Sequence, residues 1–489
     1  MVDYTTLRIR KDDKPVVRAE KKRVSGNLLR LRSDLRAHLR KDDDDEDALD
    51  TSEIIRLATW NIREFDSNNY GNRVPESFHY IAEIISQFDL VALQEVRRDL
   101  NALIRLMKIL GPDWSYIATD VTEGRKGNKE RMAFVFNRRK VWFRKVAGEL
   151  ALADSDRLHL PDTFHMTTGD GIRLNLPAGT DLAQPADINT KKVRGKLRLE
   201  EPAVVDLPSG TMVSLPDGAQ LVFGPGKTDE LNDDETLSLG NGRDRSYSKA
   251  ASIRIPPKDL KTDALQFARS PFGVIFQAGW LKLMLCTVHI YYGDEKGLKL
   301  QRRNEEIRAL TKMLADRARD EVNTDADNYF FVLGDFNIVG KNHSTWDSLH
   351  ENDFRVPEAL STIPKGSNVD RSKAYDQIAV WHGKTSRRQD FRAYTKVDIR
   401  RAGIFDFFKS VYRQGADDPD GADEAFYEKV IRKEQPRFAK KLPVKRWWAY
   451  RTWRTYQISD HLPMWVELRV DFSDSYLQGI VDAPDPEPE

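Results

Sequence analysis

The sequence predicts an α/β fold, and three observations predict it. Short aromatic and branched apolar runs read as strands buried on both faces. Segments with apolar residues at helical spacing alternate with them. A stretch rich in Pro, Gly and Asp, from about 151 to 262, interrupts the alternation and reads as a loop-rich β insertion.

The chain has 489 residues, room for two or three domains or for one large domain with insertions. Hydrophobic residues at 40%, charged residues at 32% and a mean hydropathy of −0.60 indicate a globular core under a very polar surface. No apolar run approaches the roughly 20 residues that a membrane span needs. The basic N-terminus lacks the apolar core of a secretory signal, and the acid-rich run at 41–47 is foreign to a transit peptide. The single cysteine, Cys286, excludes intramolecular disulfides and fits a reducing, cytoplasmic setting. With a net charge of +1, binding to nucleic acid would rest on local basic patches.

Residues 1–53 form a charged N-terminal extension. Within it Leu28, Leu31, Leu35 and Leu39 fall at helical spacing among arginines, which predicts a basic amphipathic helix. The first part of the core spans 54–150. It opens with a strand at 54–60 that ends in Asn61-Ile62-Arg63-Glu64-Phe65, and Phe78, Ile81, Ile85 and Phe88 mark a helix face. A second strand at 89–93 delivers Gln94 and Glu95. A helix near 100–110, a strand at 114–118 and a strand beginning at Glu130 follow. The β-rich insertion covers 151–262, with short alternating pieces at 211–215 and 220–223 around a Pro-Asp-Gly turn.

The second part of the core covers 263–472. Strands at 265–277 and 281–290 meet at Gly279-Trp280, and the second delivers His289. A helix at 300–314 and a strand from 329 come next. A strand at 374–380 carries Asp376 near its start, and the last core piece, 459–468, begins with Asp460 and His461. A basic and aromatic insertion occupies 417–455. Residues 473–489 read as an acidic disordered tail.

Gly334 breaks the apolar run at 329–333, and Asp335 and Asn337 follow two residues apart. Extended backbone puts both side chains on one face, where they can bind a hard cation or position a water molecule. Asn61, Glu95, His289 and the pair Asp460-His461 also stand at strand ends, and Glu130 and Asp376 begin two further strands. Polar groups so placed on apolar strands point to one pocket at a sheet edge. Metal-assisted attack on a phosphate uses such a set: oxygen ligands hold Mg²⁺, and an imidazole or carboxylate polarises water. The chain has neither a thiolate cluster nor H-E-x-x-H, which argues against zinc.

Eight words carry a resemblance: W-N-I-R-E-F (60–65), L-Q-E-V-R (93–97), K-E-R-M-A-F (129–134), R-S-P-F (269–272), T-V-H (287–289), G-D-F-N (334–337), A-Y-D-Q-I (374–378) and I-S-D-H-L-P (458–463). In this order they resemble the endonuclease/exonuclease/phosphatase superfamily, and within it the deoxyribonuclease I branch, over roughly 54–150 and 264–470. The resemblance implies a four-layer α/β sandwich, two packed mixed β-sheets with helices outside. It implies Glu95 as the main Mg²⁺ carboxylate, with Asn61 beside it and Asp460 completing the metal and phosphate cluster; Mn²⁺ or Ca²⁺ are the alternative ions. Asp335 and Asn337 would bind metal or attacking water and the scissile phosphate. His289 and His461 would be the acid/base pair, with Glu130 orienting His289 and Asp376 orienting His461. A carboxylate on the far ring nitrogen fixes the tautomer and raises basicity. Tyr375 would hydrogen-bond phosphate, and Arg97 and Arg269 would contact DNA near the cut. The activity implied is a Mg²⁺-dependent endonuclease that hydrolyses DNA by in-line attack of water. The alternatives are the same chemistry on a lipid, a nucleotide or another small phosphoester, and a non-catalytic binding module.

The chain departs from the branch in two ways. The nuclease pattern expects an aromatic residue near position 128, to pack on a deoxyribose in the minor groove, and Asn128 stands there. The disulfides of secreted members are absent. Residues 437–454 interleave cations with Trp447, Trp448, Tyr450 and Trp453 and contain no acid. The cations could meet backbone phosphates while the rings stack on bases, or the rings could pack the insertion onto the core. The 151–262 insertion carries no catalytic constellation and could cap the site, bind a protein partner, or do neither.

Overall fold

A computed structural model describes residues 2–40, 50–66, 72–120, 130–151, short strands between 164 and 260, 267–323 (except 294 and 296–297), 328–383 and 397–483. The chain forms two compact units. One comprises Met1–Leu150, Ala268–Ile290 and Leu310–Glu489, and the other Ala151–Phe267 and Tyr291–Ala309.

The first unit holds two six-stranded mixed sheets, packed face to face with helices outside. Their strands are β1 (Ile54–Asn61), β2 (Leu90–Arg97), β3 (Trp114–Ala118), β4 (Glu130–Asn137), β5 (Trp142–Glu149), β6 (Phe272–Ala278), β7 (Leu281–His289), β8 (Asn328–Asp335), β9 (Phe354–Arg355), β10 (Asp376–Trp381), β11 (Ile399–Ile404) and β12 (Met464–Arg469). One sheet runs β11-β12-β1-β2-β4-β3 and the other β9-β10-β8-β7-β6-β5. Each has a single parallel pair, β1 with β2 and β7 with β8, flanked by antiparallel strands. The central strands are apolar on both faces because one face meets the opposite sheet and the other meets helices. Phe134 and Phe136 of one sheet pack on Phe276 of the other at 5.4 and 5.2 Å between ring centroids. A buried polar link between the sheets is satisfied: Gln94 Nε2 donates to Thr287 Oγ1 at 2.8 Å and to Thr59 Oγ1 at 3.1 Å.

The predicted leucine stripe lies on helix α1 (Pro15–Leu39), with Leu28, Leu31, Leu35 and Leu39 buried. Helix α1 covers the outside of α2 (Pro75–Ile85), and this explains why α2 is buried almost all round. Arg32 forms an ion pair with Glu83 at 2.7 Å, Arg23 pairs with Glu76, and Asn27 Nδ2 donates to Tyr80 Oη at 3.0 Å. The extension is part of the folded core unit.

Three expectations need correction. The strand expected at 265–277 starts at Phe272, because Pro271 cannot donate to the ladder. Helix α3 spans Asn101–Leu110, and the helix expected at 300–314, α4, extends over Leu298–Asn323. The tail expected to be disordered from 473 opens with a helix, Ser473–Val481, held by Tyr476 against Trp280 at 5.4 Å and by Ser473 N donating to Asp471 Oδ1. The 417–455 insertion is helical, with α5 at Ala422–Glu434 and α6 at Leu442–Gln457. In the second unit the backbone forms short antiparallel ladders, including Ala203–Leu207 with Ala251–Ile255. The strand expected at 211–215 is Met212–Ser214, while the 220–223 piece and the Pro-Asp-Gly turn lie outside the described residues.

Candidate active site

Strand direction brings the polar words together. Parallel strands β1 and β2 end at the same edge, where antiparallel β4 and β12 begin. In the other sheet parallel β7 and β8 end where antiparallel β10 begins. His289, Asp335 and Asp376 are therefore register partners in one row across three strands. Side chains that are scattered in sequence share one edge because each stands at the end of an outgoing strand or the start of a returning one.

Backbone geometry then aims them. Glu95 has φ 60° at an irregularity in the β2–β4 ladder, which swings its carboxylate out of the pleat alternation. Its Oε1 accepts from Asn61 Nδ2 at 2.9 Å, and its Oε2 accepts from the Glu64 backbone N–H at 2.7 Å. The same Asn61 nitrogen donates to Asp335 Oδ2 at 3.0 Å, joining the two sheets. Gly334, at φ +139°, lets β8 run against β7: a Cβ there would stand 2.2 Å from the Val288 carbonyl oxygen. Asn337 sits at φ 53°, with its N–H on Asp335 Oδ1 and its amide on the Ile290 carbonyl at 2.8 Å.

Both histidines face one oxygen. His289 Nε2 lies 3.7 Å and His461 Nε2 3.8 Å from Asp335 Oδ2. His461 Nδ1 is hydrogen-bonded to Asp376 at 2.8 Å, and His289 Nδ1 stands 3.4 Å from Glu130. The two environments differ. Burial lowers the His289 pKa to about 4, with Arg269 acting in the same direction. Burial also opposes charge on His461, but Asp376 and Asp335 outweigh it and hold the imidazolium well above its ordinary range.

The remaining expected residues are placed as follows. Arg269 is buried, with its guanidinium on Glu130 and 3.4 Å from the His289 carbonyl. Arg97 is half-exposed, 3.8 Å from Glu64. The Tyr375 ring lies 5.6 Å from that of His461. Asp460 is partly exposed and faces Arg63 at 3.3 Å. Position 128 lies outside the described residues. In the 417–455 insertion Tyr450 and Trp453 are core, packed with Tyr412 and Tyr427, whereas Trp447 and Trp448 are exposed.

Other contributors were not singled out by sequence. Arg73 is buried and donates to the carbonyls of Ile62 and Arg63 and to those of Gln457 and Ile458, which ties the Asn61 loop to the approach to His461. Burial lowers its pKa to about 10. Nothing in the local sequence distinguishes it from a surface arginine. Ser459 Oγ donates to the Asn61 carbonyl at 2.6 Å and accepts from His461 N–H at 3.0 Å. Its place inside I-S-D-H-L-P was the available signal.

The donor set suits a hard divalent cation. Two groups, Glu95 with Glu130 and His289, and Asp335 with Asp376 and His461, each bring three potential ligand atoms within 4.8 Å of one another. Carboxylates dominate both groups, and Asp376 Oδ1 is buried without a hydrogen-bond partner among the described residues.

A sequence model described as the Endonuclease/Exonuclease/phosphatase family matches residues 58–357, more than half of the chain. A deoxyribonuclease from Thioalkalivibrio sp. (strain K90mix) is 29% identical over 140 residues, 24% of this chain and 36% of the relative. Deoxyribonuclease-1 of Bos taurus is 34% identical over 92 residues, 18% and 32% respectively. The chain thus aligns with about a third of the length of each of these curated relatives. Among solved structures, an endonuclease/exonuclease/phosphatase family protein from Bacteroides thetaiotaomicron aligns with a TM-score of 0.38 at 13% identity, over 86% of this chain and 98% of that one. With its two packed mixed sheets and the edge cluster of carboxylates and imidazoles, the chain belongs to the Endonuclease/Exonuclease/phosphatase family of metal-dependent phosphoesterases.

Proposed function

We propose that this protein is a Mg²⁺-dependent phosphodiesterase that acts on DNA as an endonuclease. The observation that carries the reading is the meeting of His289 and His461 at Asp335 Oδ2, beside the Asn61–Glu95 pair. Glu95 and Asn61 would hold the ion, with Asp460 at the rim; when bound, it would draw charge from the phosphoryl oxygens. His289, neutral at pH 7, is suited to accept a proton from the attacking water. His461, kept charged by Asp376 and Asp335, is suited to protonate the leaving oxygen. Asp335 sits between the two imidazoles and would orient both them and the water. Asn337, fixed on the Ile290 carbonyl, and Tyr375, against the His461 ring, would bind the phosphate. Glu130 would steady the His289 ring, and Arg269 would hold Glu130 in place. Arg97 at the rim would meet the DNA backbone.

The names of two relatives, both deoxyribonucleases, support DNA as the substrate. Among the described residues no helix is long and apolar enough to cross a membrane. A single buried thiol, Cys286, fits a reducing, cytoplasmic setting.

The test is nicking of supercoiled plasmid with Mg²⁺, with EDTA, and by the His461→Ala variant. Nicking that needs the metal and is lost in the variant is the expected result. Absence of nicking by folded protein with Mg²⁺, Mn²⁺ or Ca²⁺, together with turnover of a nucleotide or lipid phosphoester, would move the substrate to that class.

A further inference from the structure

Helix α6 splits its aromatic residues between two environments. Tyr450 and Trp453 are fully buried, but Trp447 is 55% and Trp448 40% exposed, with Val444 beside them at 83%. Burial of large rings is the ordinary outcome, so two adjacent exposed indoles on a well-packed helix call for an occupant. Cations frame them. Lys441 Nζ stands 4.4 Å from the Trp448 ring centroid, and the Arg451 guanidinium 4.8 Å from that of Trp447. Lys440, Lys441, Lys445 and Arg446 are exposed along the same approach. The segment contributes no acid; the neighbouring acids are Glu428, paired with Arg446, and Asp370, paired with Arg451.

The helix that carries the patch runs on to the catalytic edge. At the far end of α6 the Arg63 guanidinium lies 3.8 Å from the Tyr456 ring centroid and 3.3 Å from Asp460. Tyr456 is eight residues beyond Trp448, about 12 Å along the helix axis. That distance spans roughly three to four nucleotides of a stacked strand.

We propose that the exposed face of α6 is a docking platform for a single-stranded flank of the nucleic-acid substrate. Bases stack on Trp447 and Trp448, and the lysines meet the backbone phosphates. Rings beside cations favour a single strand over a duplex, whose bases are already stacked and whose outer surface offers phosphates alone. The assignment rests on the reading of the protein as a nuclease and deepens it.

The test is fluorescence anisotropy of the full chain in EDTA, with a labelled single-stranded oligonucleotide and its matched duplex at two salt concentrations. The variants are Trp447→Ala/Trp448→Ala and Lys440→Glu/Lys441→Glu/Lys445→Glu, each checked for folding by thermal melt. The tryptophan variant is expected to lose tenfold or more of its single-strand affinity and little of its duplex affinity. The lysine variant is expected to bind more weakly with a shallower salt dependence. Unchanged single-strand affinity in both variants would overturn the proposal, as would absence of binding by the wild type. Equal losses on both ligands would reassign the face to duplex backbone and overturn the single-strand assignment. Wild type that binds through this face but does not nick plasmid would refute the nuclease reading and leave the platform standing. Nicking with intact binding in both variants would do the reverse.

Discussion

His289 and His461 reach the same oxygen from different sheets, 3.7 and 3.8 Å from Asp335 Oδ2, yet they carry opposite electrostatics. His289 is backed by Glu130, whose charge is already taken up by Arg269. His461 is backed by Asp376, which has no basic partner among the described contacts. Burial, reinforced by Arg269, keeps His289 neutral, whereas Asp376 and Asp335 overcome the same burial at His461 and keep it charged.

Asp376→Asn keeps the side-chain shape and removes a carboxylate that holds His461 protonated. The His461 pKa should fall, so the alkaline limb of the nicking pH–rate profile should move to lower pH and the rate above pH 8 should drop roughly 10²-fold. The stability sign follows from linkage. The folded pKa of His461 is raised above the unfolded value of about 6.5, so its stabilising contribution is complete below that pH and is lost as pH rises through the folded pKa. Thermal melts across this range should show the dependence in wild type and much less of it in the variant. An unmoved alkaline limb would give His461 another role.

Arg269→Met leaves Glu130 as a buried carboxylate without its partner. We expect a loss of about 3–5 kcal/mol in urea unfolding, partly restored by adding Glu130→Gln. A stable Arg269→Met protein with weakened DNA affinity would instead place Arg269 on the DNA surface.

Gly334→Ala should be among the most damaging small substitutions. The backbone angle disfavours an L residue, and the added methyl meets the Val288 backbone, which cannot move within the β7–β8 ladder. A loss of at least about 2 kcal/mol in melting experiments is expected, with activity falling in step. Wild-type stability would mean that the two strands can separate at this edge.

Deleting residues 2–40 should prevent stable folding. It uncovers the α2 face under Leu28, Leu31 and Leu35, at about 1.5–3 kcal/mol for each buried leucine, and strips Glu76 and Glu83 of their arginines. The combined loss matches the whole net stability of an ordinary domain, about 5–15 kcal/mol. A soluble truncated protein with an unchanged melting temperature would reduce α1 to an appendage.

Much of the site was legible because its signals are local. An apolar run that stops at Gly334 and continues with Asp335 and Asn337 identifies a strand end within a few residues, and Glu95, His289 and His461 stand at equally abrupt junctions. The leucine stripe of α1 was readable for the same reason, since helical periodicity needs only the segment itself. The helix after residue 473 was less legible. It depends on Trp280, some 190 positions earlier, to pack its Tyr476. Arg73 was silent in the sequence because its partners are carbonyls, which every residue possesses.

Composition, periodicity and spacing thus determined the α/β class, the strand ends and the inventory of carboxylates, amides and imidazoles. Tertiary structure alone decided their pairing. It set Asp376 on His461, turned Arg269 inward onto Glu130, and buried Tyr450 and Trp453 of α6 while leaving Trp447 and Trp448 exposed. Periodicity and turn chemistry act between neighbours in the chain. Partner choice and burial depend on which distant segments arrive at the same sheet edge, and strand direction and packing settle that only when the whole core closes.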